Sequence, residues 1–165
     1  MPERTEQARP LVFWEHRAYP GRLERLGGVR TDLAADLVGF DPDLVATVEL
    51  VTSELFANCV KYTDSGGVGG EVIRGLSMPR AGELRVFLSD WGGRGGVPRV
   101  PKERSEDEWG WAEGQRGLLL VEKLSTAWGH FRLAPWGDLG THVWAAFAVR
   151  PGAAPAGLRP FVFAD

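Results

Sequence analysis

The 165-residue sequence contains a single cysteine, Cys59, so no internal disulfide can form and a reducing compartment is expected. Its three histidines, His16, His130 and His142, lie far apart and lack metal-ligand spacing, so they point to no zinc centre. HExxH, CxxC and GxSxG do not occur, which leaves zinc-hydrolase and serine-hydrolase chemistry without a carrier. No run approaches the ~18 apolar residues that a membrane-spanning helix needs. The polar residues 1–10 lack the basic start and apolar centre of a secretory leader, so a cytoplasmic location is expected. There is no excess of positive charge either. The net charge of −3 provides no general field for nucleic acid or an anionic membrane, and neither is expected as a partner.

What is present is the composition of an ordinary globular domain, 44% hydrophobic and 25% charged, with enough chain for one core. Residues 1–10 read as a loose tail, 11–149 as one domain, and 150–165, rich in Pro, Gly and Ala, as a second loose tail. A strand is expected over 11–18 and a helix over 22–38, with Gly27 and Gly28 as a point of weakness. Asp41-Pro42 is a strong helix start, since an acceptor precedes a first-turn proline. The helix that follows, to about Tyr62, carries the apolar stripe Leu44, Val48, Val51 and Leu55. Strands are expected over 71–77, 83–89, 127–133 and 141–149, and a helix over 117–124. Between them, residues 94–113 form a long irregular segment suited to a lid. Helices combined with mostly hairpin-linked strands predict an α+β fold. The expected form is a two-layer sandwich whose mixed, mostly antiparallel sheet is covered by helices on one face.

Three segments carry chemistry. On the long helix, Glu54 and Asn58 are four residues apart and share a face, with Lys61 nearly one turn further on. A carboxylate can take a proton or orient a hydroxyl, a neutral amide oxygen is a hard ligand for magnesium, and a lysine can meet a phosphate. A solvated helix edge would show the same residues. Next, Asp90 ends a strand and opens the run Asp90-Trp-Gly92-Gly-Arg-Gly95-Gly, where an acid can accept from an exocyclic amine and glycines admit a ligand to the backbone. A plain turn would also read so. The glycine spacing fits neither the dinucleotide fingerprint nor the Walker A loop. Third, Glu113-Gly114-Gln-Arg116-Gly117-Leu118 is a glycine-flanked turn leading into a helix, a ready site for phosphate or simply a glycine cap on a core helix.

Taken in order, these segments resemble the N, G1 and G2 boxes of the Bergerat-type, histidine-kinase-like ATPases. The stretches from Gln115 to Val121 and from Gly140 to Trp144 look most like the bacterial anti-sigma-factor serine kinases. The resemblance covers about residues 12–149. It implies ATP and Mg2+ as ligands, with Glu54 as general base and Asn58 as the magnesium ligand. It also implies Asp90 as the adenine-reading acid with Gly92 and Gly95 beside it, Gly114, Arg116, Gly117 and Leu118 around the phosphates, and Thr141 helping to hold the base. The partners it implies are a sigma factor, a STAS-type anti-anti-sigma antagonist phosphorylated on serine or threonine, and a second copy in a homodimer. A departure stands beside it: the G1 loop is one residue longer than usual, with Trp91 next to the acid. A module that binds ATP or a partner without turnover is therefore the alternative. A split histidine kinase is not expected, since no helical phosphoacceptor segment precedes residue 12.

Overall fold

The computed structural model describes residues 12–90, 113–132 and 140–158. Six strands form one sheet: β1 (Val12–Phe13), β2 (Arg17–Pro20), β3 (Glu71–Arg80), β4 (Glu83–Ser89), β5 (Ala127–Arg132) and β6 (Thr141–Ala148). Their order is β1-β3-β4-β6-β5, with β2 also on the outer edge of β3. Among the described residues three α-helices accompany them: α1 (Leu26–Asp36), α2 (Pro42–Tyr62) and α3 (Glu113–Leu124). The architecture is the expected α+β sandwich. One detail differs: every described strand pairing is antiparallel, so the sheet is not mixed among the described residues.

Side-chain alternation separates the two faces of the sheet. Val72, Leu76, Met78, Leu84, Val86, Leu88, Val143, Ala145 and Phe147 are buried in one core with Val29 and Leu33 of α1, Val48, Val51, Leu55 and Phe56 of α2, and Leu118 and Val121 of α3. Burying an aliphatic side chain of this size contributes ~1.5–3 kcal/mol, which is ample to fix the rotation of α2 about its axis. The other face is aromatic. His16 meets Phe87 edge-on at 4.9 Å, Phe87 stacks on His142 at 4.3 Å, and His142 stacks on Phe131 at 4.5 Å, so the rings form a row across β4, β6 and β5.

Several boundaries moved for physical reasons. The strand expected over 11–18 is two strands, because three residues, 14–16, stand opposite two on β3 and make a bulge. The helix expected over 22–38 opens as a 3-10 turn, Leu23–Arg25, and becomes α1 at Leu26. Gly27 and Gly28 lie in its first turn without a break. β3 runs on through Pro79 to Arg80, and its register shifts between Ser77 and Arg80, where a missing N–H is tolerated. α3 begins at Glu113, four residues before the expected start. The stretch 150–158, expected as the start of a loose tail, packs Ala153, Ala154 and Leu158 against the core. There the Ala153 carbonyl accepts from the Asp41 amide at 2.8 Å. The expected tail over 1–10, Gly92, Gly95 and the expected lid, apart from Glu113, lie outside the described residues. Among the described residues, no helix is long and apolar enough to cross a membrane.

Candidate functional site

The long helix is set first. Asp41 caps α2 by accepting from the Asp43 amide at 3.3 Å, and Pro42 occupies its first turn. With Val48, Val51 and Leu55 turned into the core, the flank bearing Glu54, Asn58 and Lys61 borders a hollow of about 250 Å³. Ser53 and Ala57 of α2, Leu26 and Arg30 of α1, and Arg116, Gly117 and Leu120 of α3 complete its lining. Five of the residues singled out in the sequence, Glu54, Asn58, Lys61, Arg116 and Gly117, therefore meet at one cavity.

Gly117 explains how α3 comes so close. A β-carbon placed there would lie 2.6 Å from Glu54 Oε2, so any larger residue would displace the carboxylate. The stretch expected as a turn before the helix is instead the first turn of α3. Gly114 and Arg116 belong to that turn, whose leading amides have no partner within the helix. The Leu118 side chain is 5% exposed and belongs to the core, not to the lining of the hollow.

A second group lies past Asn58 along α2. Asp90 is 5% exposed at the end of β4. Its amide donates to the Thr141 carbonyl at 3.0 Å, and its Oδ1 accepts from the Thr141 amide at 3.1 Å. Gly140, at φ +108°, takes a backbone angle that side-chain-bearing residues rarely adopt, and so delivers Thr141 to this position. The Cys59 thiol, one residue after Asn58, donates to Asp90 Oδ2 at 3.9 Å. Burial pushes that thiol well above its ordinary pKa, and the neighbouring Asp90 pushes it further, so Cys59 stays protonated as a donor. α2 thus shows one group to the hollow and the next residue to Asp90.

Arg30 and Ser53 were not found from sequence. Arg30 Nε donates to Ser53 Oγ at 2.8 Å, and Ser53 Oγ donates to the Glu49 carbonyl at 2.8 Å. The packing of α1 on α2 creates this pair, and no local pattern announces it.

Three cationic side chains, Arg30, Lys61 and Arg116, and one carboxylate, Glu54, border the hollow. That balance favours an anionic ligand. Among the described residues, no three His, Cys, Asp or Glu side chains cluster as a cage for a metal ion. Magnesium does not require one, because it is commonly held by one or two protein oxygens together with substrate phosphates. Asn58 and Glu54 supply such oxygens on the wall of a hollow lined with phosphate-seeking cations, so the residues fit that ion.

A family model described as a histidine kinase-like ATPase domain matches residues 17–147. Among curated proteins, none matches the chain.

Proposed function

The chain belongs to the histidine kinase-like ATPase domain family, and from that premise we propose that it is a cytoplasmic ATP-dependent serine/threonine kinase that regulates a sigma factor by phosphorylating an anti-anti-sigma antagonist protein. The observation that carries the reading is the convergence of Glu54, Asn58, Lys61, Arg116 and Gly117 on one hollow, with the buried Asp90 bonded to Thr141 past Asn58 along α2.

In this reading the base of ATP sits toward Asp90 and Thr141, whose carboxylate and hydroxyl supply polar contacts to the ring edge. The phosphates lie in the hollow, against Lys61, Arg116 and the first-turn amides of α3. Asn58 would hold magnesium, which supplies charge neutralisation on the phosphates when bound. Glu54 orients the acceptor hydroxyl and takes its proton as that oxygen bonds to the γ-phosphorus. The bond from the γ-phosphorus to its bridging oxygen breaks, and ADP leaves with the electron pair. General-base assistance of this kind is worth ~10²–10⁴ in rate.

The test is transfer of labelled phosphate from ATP, with magnesium, to a candidate antagonist protein. Glu54→Ala is expected to abolish transfer while ATP binding persists. If the true antagonist gains no label, or Glu54→Ala leaves biological activity whole, the protein is a binding module without turnover.

A further inference from the structure

We propose that Arg30, on α1, is the side chain that meets the terminal phosphate of the bound nucleoside triphosphate, and that Ser53 is the residue positioning it. This inference rests on the nucleotide reading of the same hollow and adds to it a residue from outside the three sequence segments.

The first support is position along α2. Cys59, in contact with Asp90, marks the base end. Ser53, in contact with Arg30, lies six residues earlier, ~9 Å along the axis at the rise of an α-helix. Glu54 and Asn58 fall between these two contacts. A nucleotide with its base at Asp90 and its phosphates along Asn58 therefore brings its last phosphate to the end where Arg30 sits.

The second support is preorganisation. Arg30 Nε is taken by Ser53 Oγ at 2.8 Å, and Ser53 is itself 5% exposed and anchored on the Glu49 carbonyl. Fixing the inner nitrogen aims the guanidinium fork, and among the described residues its two terminal nitrogens bond nothing. A planar fork with both ends open matches the oxygens of a phosphate better than a point charge does. α1 is a firm base for it, because Val29 and Leu33 on either side of Arg30 are fully buried. Charge adds a third reason. Glu54 puts a negative side chain where a terminal phosphate must approach, and a cation held beside it offsets that repulsion.

The experiment compares ATP and ADP binding to the full chain by calorimetry in the presence of magnesium. The two ligands differ only in the group that Arg30 is assigned to hold. Arg30→Ala is expected to weaken ATP about tenfold and to leave ADP unchanged, as for loss of a charge-assisted hydrogen bond. Arg30→Lys should restore part of the loss, since it returns the charge without the fork. Ser53→Ala should weaken ATP a few-fold in the same ATP-selective sense, with an unchanged melting curve. If Arg30→Ala lowers ATP and ADP affinity equally, or neither, the assignment is overturned. A raised KM for an acceptor protein with an unchanged ATP-to-ADP ratio also overturns it, and makes Arg30 a docking contact. Wild-type protein that binds neither nucleotide would instead bring down the nucleotide reading itself.

Discussion

Two groups of buried polar side chains meet the cost of burial in opposite ways. Between α1 and the N-terminal strands, Asp36 accepts from Arg17 Nε at 3.0 Å, Arg17 Nη2 at 2.8 Å and Arg74 Nη2 at 2.6 Å. Trp14 Nε1 donates to the Asp36 carbonyl at 3.0 Å, and Tyr19 donates to Asp32 at 2.8 Å. Arg74 has no exposed surface and pairs with Asp36 through Nη2, while its Nε and Nη1 are buried without a partner among the described residues. Beside α2, Asp90 is buried almost as well, but its neighbours lead through Cys59 and Asn58 to an open hollow. The comparison separates two uses of buried charge. A carboxylate surrounded by arginines holds elements together, whereas Asp90 is held by a backbone amide and a thiol, next along α2 to the residues that line the hollow.

That contrast can be broken deliberately. The largest expected effect is on stability. Asp36→Asn removes the anion that compensates the buried Arg74, which should cost ~3–5 kcal/mol in urea unfolding while nucleotide affinity of the folded fraction stays near wild type. The acid limb of the same cluster has a definite sign. Burial pushes Asp36 up, but the hydrogen bonds from Arg17 and Arg74 outweigh it and hold the carboxyl below its ordinary value. Its contribution is therefore present above ~pH 4 and is lost as pH falls through that lowered value.

The mirror experiment is Asp90→Asn. It should cost ~1.5–3 kcal/mol in ATP binding, read by calorimetry, with a smaller loss of stability than Asp36→Asn. Next in size is Gly117→Ala. Its new methyl meets the movable end of Glu54, so stability should stay within ~1 kcal/mol of wild type. Phosphate transfer should nevertheless fall as the carboxylate is displaced.

The smallest effect belongs to the aromatic face. Burial, followed by the nearby His16, lowers the pKa of His142, and burial, followed by Arg74, lowers that of His16. Both are more easily protonated when unfolded, so their contribution is complete above ~pH 6.5 and declines as pH drops below it. A melting series from neutral to mildly acidic pH should show this slope, and His142→Phe should flatten it while keeping the stack.

What could be read in the sequence follows the range of the interactions. α2 was legible to its ends because cap, first-turn proline and stripe are all local. Glu54 and Asn58 follow from helical spacing on that same element. Asp90 and Thr141 are 51 residues apart, and their pairing depends on the β4–β6 register, so only family resemblance suggested it. The bulge at 14–16 was illegible because its cause lies on β3. Arg30 was illegible because its partner Ser53 is on another helix, 23 residues away. Residues 150–158 look like linker by composition, yet the Ala153 carbonyl bonds the Asp41 cap of α2, and Ala153, Ala154 and Leu158 pack against the core.

The Thr141 amide is spent on a side-chain carboxylate rather than on a rung of the ladder. Whatever tightens or loosens Asp90 must therefore alter how readily that one proton trades with solvent. On the proposed nucleotide reading, deuterium uptake at Thr141 becomes a gauge of ligand occupancy that the chain carries within itself.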